Sequence, residues 1–116
     1  MPTDRPRMTM RPGVQLLVNL LGDKWTVPVI HLLSPGPRRH AELKRGLPGI
    51  SQRMLPRTLR RLEAHGLLTR TVHRSALPSV EYSLTPLGRS LNQPLESLCH
   101  WTERHAEELQ GATVMA

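Results

Sequence analysis

The chain has 116 residues, with 16 Lys and Arg against 9 Asp and Glu for a net charge of +7. That length fits one domain, and so basic a balance favours a polyanionic partner over an acidic one. A single cysteine, Cys99, excludes an internal disulfide and suits a reducing cytosol, and no apolar run approaches the ~20 residues that span a bilayer.

Residues 1–13, MPTDRPRMTMRPG, are basic but lack the apolar centre of a signal peptide. Three prolines and a glycine there predict a flexible arm. The domain is expected over 14–109, with a short patternless tail over 110–116. The aromatic residues are only Trp25, Tyr82 and Trp101, with no Phe, so leucine must fill the core.

Val14 to Leu21 is apolar nearly all round and predicts a short buried helix, covered in part by a second copy of the chain. Gly22 stops it. Asp23 is placed to cap a second helix from Lys24 to about Leu33, in which Pro28 predicts a kink or a late start. Ser34-Pro35-Gly36-Pro37 is a turn. Arg38-Arg39-His40 predicts a short extended piece, followed by a helix with no good N-cap residue, since Ala41 stands where Ser, Asp or Asn would serve.

The chain is organised around His40–Gly66. Pro48-Gly49 breaks the first helix of this stretch. Ser51 is a good N-cap for the second, whose apolar stripe is Ile50, Met54/Leu55, Leu59 and Leu62. Its other face carries Gln52, Arg53, Arg57, Arg60 and Arg61, and Gly66 ends it at C′. Two helices, a Gly-containing turn and a cationic outer face make a helix-turn-helix pattern. Between residues 38 and 74, ten Lys/Arg face two acids, Glu42 and Glu63, a net of +8, whereas 81–108 holds two Arg against five Glu. A charge excess confined to one segment is a footprint for nucleic acid. A solvated basic face is the bland alternative.

After Gly66, period-two alternation over Leu67–Arg74 and Val80–Leu84 flanks a loop containing Pro78 and predicts a β-hairpin, a wing made cationic by Arg70 and Arg74. Thr85-Pro86 is a strong helix start. Leu87, Leu91, Leu95, Leu98 and Trp101 form an apolar stripe reaching about Leu109, with Pro94 expected to bend or split the helix. The fold class expected is mainly α with a small β-hairpin wing, a winged helix-turn-helix.

In this order the chain resembles the HxlR-type winged helix-turn-helix transcriptional regulators of bacteria and archaea. The matching runs include Gly22-Asp23-Lys24-Trp25-Thr26, Gly36-Pro37-Arg38-Arg39, Leu47-Pro48-Gly49-Ile50-Ser51-Gln52, Leu59-Arg60-Arg61-Leu62-Glu63 and Val80-Glu81-Tyr82-Ser83-Leu84-Thr85-Pro86-Leu87-Gly88. The likeness covers about residues 14–105. It implies a homodimer built from the N- and C-terminal helices, bound at a two-fold-related site in duplex DNA. Three features depart from the family. Residues 1–22 contain none of the cysteines with which some members sense oxidants. Pro56 sits on the outer face of the recognition helix, at an expected cost in helix stability. His40 replaces an often aromatic residue.

In such a motif the N-terminal residues of the second helix meet base edges in the major groove, here Ser51, Gln52, Arg53 and Arg57. Arg38, Arg39, Arg60, Arg61, Arg70 and Arg74 are placed for phosphates, although Arg60 or Arg61 has a competing use in a salt bridge with Glu63 or Glu42. The expected dimer face is Val14, Leu17, Leu21, Leu91, Leu95, Leu98 and Trp101. Partners expected are double-stranded DNA and a second copy, with no membrane and a cytoplasmic location; any small-molecule effector is unspecified. Enzyme chemistry is not expected, because four histidines are scattered and Cys99, His100 and His105 point apart along a helix. No cofactor or metal is expected, and Cys99 reads as a buried small hydrophobe. The competing function classes are a dimerisation adaptor without specific DNA binding, and an RNA-binding winged helix.

Overall fold

A computed structural model describes residues 11–115, with side chains to residue 110. Most of the 1–13 arm lies outside the described residues, but Pro12 and Gly13 already belong to a helix. The elements in chain order are α1 (Pro12–Leu21), α2 (Thr26–Leu33), β1 (Arg38–Arg39), α3 (His40–Gly46), α4 (Met54–Ala64), β2 (Leu68–His73), β3 (Ser79–Leu84), α5 (Pro86–Arg104) and α6 (Ala106–Met115). The winged helix-turn-helix is therefore present, with one strand more than the hairpin alone. β1 pairs with β3, giving an antiparallel sheet in the order β1-β3-β2.

Leucine does fill the core. Val29, Ile30 and Leu33 of α2, Leu43 of α3, and Leu55, Leu59 and Leu62 of α4 meet Leu68, Leu84 and Leu95, all 5% exposed or less. A leucine at such a site contributes about 2–5 kcal/mol relative to alanine.

Local chemistry explains the boundaries. α2 starts late, at Thr26, so Pro28 falls in its first turn and breaks no ladder bond. Asp23 still serves the helix start, with its Oδ1 accepting the Trp25 N–H at 2.9 Å. α3 is better capped than Ala41 suggests, because Glu42 reaches back to accept the Arg39 N–H at 2.8 Å. The turn between α3 and α4 closes with Ile50 N–H on the Leu47 carbonyl at 3.1 Å, and Gly49 takes φ +91° within it. At the far end of α4, Gly66 (φ +73°) lets its own N–H reach Glu63 O and the Leu67 N–H reach Leu62 O. This is a Schellman ending.

Two expectations for the C-terminal part are corrected. Pro94 does not split α5, which runs unbroken through Arg104; the break comes at His105. The segment after Gln110 is not a patternless tail, because α6 continues to Met115.

Candidate nucleic-acid interface

The N-terminal end of α4 is built by Ser51, whose hydroxyl accepts the Met54 N–H at 3.0 Å. Ser51 caps as expected, but regular helix begins only at Met54. Gln52 and Arg53 form the turn between, with Arg53 at the N-cap position and both side chains exposed. Arg57 is exposed one turn on. Pro56 is the third residue of α4, where a backbone N–H has no partner inside the helix in any case. The helix penalty expected for it is thus largely absent.

Arg60 is exposed on the next turn of α4. Together with Pro56, Leu59 and Glu63 it faces Arg70 and Tyr82 of the sheet across a groove of about 270 Å³. The register explains this: Arg70 of β2 and Arg38 of β1 both lie opposite Tyr82 of β3, so the three share one face of the sheet. Arg74 follows β2 at the exposed start of the wing loop. Arg39 is exposed on the other face, opposite Glu81. Among the described residues, the guanidinium groups of Arg39, Arg53, Arg57, Arg60, Arg70 and Arg74 have no ion-pair partner. Arg53, Arg57, Arg60, Arg70 and Arg74, unneutralised on α4, β2 and the wing loop, with Arg39 on the other face of the sheet, create a field that attracts a polyanion.

Two arginines grouped with these in the sequence are engaged elsewhere. Arg38 is half-buried and donates from Nε to the Leu32 carbonyl at 3.1 Å, closing the end of α2. Arg61 is tied to Asp23 at 3.5 Å and to the Asn19 carbonyl at 2.8 Å. The acid paired with it is thus neither Glu63 nor Glu42, because α4 turns this position toward the α1–α2 junction.

Sequence reasoning passed over His40, Lys44 and Arg45. These α3 residues line a groove of about 550 Å³ with Ala41, Gln52 and Pro56. The signal was available, since Lys44 and Arg45 belong to the charge excess and precede the turn by one helical step.

The expected dimer face is only partly free. Leu95 is 5% exposed and belongs to the monomer core, because α5 lays this turn against the body of the domain. Leu21 and Leu91 are half-buried against that core. Val14, Leu17, Leu98 and Trp101 are 38–55% exposed, as are Leu16 and Val18, with Leu87 at 58%. From Glu96 to Arg104 every α5 residue is exposed. Cys99 is therefore not the buried hydrophobe expected; it lines an open groove between α2 and α5 with Val27, His31 and Glu96.

A family model described as HxlR-like helix-turn-helix matches residues 20–110. The chain belongs to the HxlR-like helix-turn-helix family. It is a helix-turn-helix transcriptional regulator of the HxlR type, a non-enzymatic class. It is similar to the uncharacterized HTH-type transcriptional regulator YkvN of Bacillus subtilis (strain 168), at 45% identity over 96 residues covering 83% of this chain and 81% of YkvN. An uncharacterized HTH-type transcriptional regulator of Methanothermobacter thermautotrophicus is 40% identical over 100 residues, covering 86% of this chain and 76% of its own. Among solved structures, the redox regulator HypR in its reduced form superposes with a TM-score of 0.80 at 35% identity, covering 85% of this chain and 98% of HypR. The reduced form of YodB from Bacillus subtilis gives a TM-score of 0.77 at 32% identity, covering 86% and 98%. Among the described residues of this HxlR-type chain, no group of three or more His, Cys, Asp or Glu side chains could hold a metal ion. No single helix there is long and apolar enough to cross a membrane.

Proposed function

We propose that this HxlR-type regulator acts in the cytoplasm and binds double-stranded DNA as a homodimer, with α4 entering the major groove. The observation that carries the reading is the set of exposed, unneutralised arginines on α4 and the wing, of which Arg60 and Arg70 face one groove. Ser51, Gln52, Arg53 and Arg57 meet base edges in this account; arginine suits guanine and glutamine adenine. Arg39, Arg60, Arg70 and Arg74 hold phosphates, fixing register without reading sequence. The groove lined by Lys44 and Arg45 adds backbone contacts beside them.

The second copy covers the apolar surface that α1 and the projecting half of α5 leave exposed: Val14, Leu17, Leu98 and Trp101, with Leu21 and Leu91 at the margin. An exposed apolar surface shared by two helices suits an isologous contact, which presents two copies of α4 to a two-fold-related site. Selection of bound sequences from a random duplex library tests the account. Recovery of an inverted repeat is expected; recovery of no common sequence would contradict it.

A further inference from the structure

α1 is attached to the domain by little apolar surface. Leu20 is its single buried residue and Leu21 is half-buried; the other side chains of the helix are exposed. Its C-terminal end is held by polar bonds instead. The buried Thr26 hydroxyl donates to the Leu20 carbonyl at 2.8 Å. Arg61 of α4 donates from Nη2 to the Asn19 carbonyl at 2.8 Å, while its Nη1 lies 3.5 Å from Asp23 Oδ2.

Asp23 is the centre of this network, with its side chain 7% exposed. Oδ2 also accepts from Thr58 Oγ1 at 2.9 Å, and Oδ1 accepts from the Trp25 N–H at 2.9 Å. One carboxylate thus grips α4 at two residues a turn apart and fixes the start of α2. Arg61 carries the connection on to the last turn of α1. The Arg61 bond to the Asn19 carbonyl is charge-assisted and directional, and with the Thr26 bond to the Leu20 carbonyl it holds two successive carbonyls of α1, which leaves little freedom of rotation. Apolar contact through Leu20 alone would not fix an angle.

We infer that Asp23, Thr58 and Arg61 form a latch that fixes the angle between α1 and α4, and so sets the half-site spacing that the dimer reads. The inference rests on the dimeric, DNA-reading account above. In that account α1 lies at the dimer contact and α4 in the groove, so their angle decides where the second α4 falls. One base pair of added spacing moves a half-site by about 3.4 Å along the duplex and about 35° around it. Slack of that size at the α1–α4 junction would blur the choice of spacing. Arg61 is a positioning residue here and not a phosphate contact.

The test uses the full chain, as wild type, Asp23→Asn and Arg61→Ala. Each is titrated against duplexes carrying the selected half-sites at the preferred spacing, at spacings one and two base pairs longer or shorter, and as a single half-site. Wild type is expected to lose about tenfold in affinity for a one-base-pair change, equivalent to about 1.4 kcal/mol. Both variants should lose about threefold or less for the same change, with single-site affinity within about twofold of wild type. The salt slope of Arg61→Ala should equal that of wild type, whereas a lost phosphate contact would lower it by about 0.9 per half-site. Should Asp23→Asn fail to fold, Arg61→Ala carries the test, because its side chain is 39% exposed and leaves the Asp23 bonds to Thr58 and Trp25 in place. A spacing profile as sharp as wild type overturns the latch, including when all affinities fall together. A wild-type chain that binds one half-site as tightly as two overturns the dimeric reading and the latch with it.

Discussion

Gly88→Ala is expected to destabilise the domain although it places alanine in a helix. Gly88 sits in the first turn of α5, and a Cβ there would lie 2.0 Å from the Leu67 carbonyl oxygen and 3.1 Å from Leu84 Cδ2. Carbonyl oxygens of the backbone cannot swing aside, so the start of α5 must retreat by at least about 1 Å to restore an ordinary contact. That retreat strains three bonds: Gly88 N–H to Thr85 Oγ1 (3.0 Å), Thr85 Oγ1–H to Gly66 O (2.6 Å) and Thr85 N–H to Leu67 O (3.1 Å). Overpacking costs about 1–3 kcal/mol and a weakened cap about 1, against a gain of about 1 from alanine's helix propensity. The net loss is about 1–3 kcal/mol, or a fall in melting temperature of roughly 5–15 °C for a domain this size. Thermal denaturation followed by circular dichroism reads it directly, with Gly36→Ala as a control because nothing lies within 4 Å of its Cβ position. A Gly88→Ala melting temperature at or above wild type would refute the argument that α5 is docked by this close approach.

Other outcomes follow from the same geometry. Affinity for the selected duplex should fall steeply with salt, with a slope near −7 in log K against log [salt] if the dimer neutralises roughly eight phosphates; an affinity indifferent to salt would defeat the electrostatic account. Sedimentation at micromolar concentration should give a dimer of the 13.1 kDa chain, and Leu98→Glu, which puts charge at an exposed apolar site, should give monomer with its circular dichroism unchanged. A wild-type chain sedimenting as monomer would contradict the proposed use of α1 and α5. Arg74→Ala should weaken selected and random duplexes alike and lower the salt slope by about one per half-site.

The pattern of local signals made most elements legible. Ser51, Gly66, the Pro48-Gly49 pair and Thr85 in its cap on Gly88 act on near neighbours, so those roles follow from spacing alone, whereas the bonds of Thr85 to Gly66 and Leu67 do not. The pairing of β1 with β3 was not legible, since two residues carry no period and the partner strand lies about forty residues on. On α4, the pattern places Arg61 on the cationic outer face and passes over Thr58, yet both engage Asp23. Both are polar, and polar residues on a helix read as solvent-facing until a buried partner such as Asp23 is known. Leu95 and Leu98 belong to one stripe in sequence, yet the first is core and the second exposed, because α5 leaves the body of the domain between them. Composition cannot tell where a helix outruns its support. The cationic segment was legible as a whole; which arginines it leaves free depends on long-range bonds that only the fold supplies.

In the proposed function the tip of α4 reads bases. This is tested most directly by titrating Arg53→Ala against the selected duplex and a random duplex of equal length at one salt concentration. Loss of about 1–3 kcal/mol per half-site on the selected duplex, with little change on the random one, is the result expected of a side chain at a base edge. Equal weakening on both would contradict the claim, and would assign Arg53 to the phosphate backbone with the wing arginines.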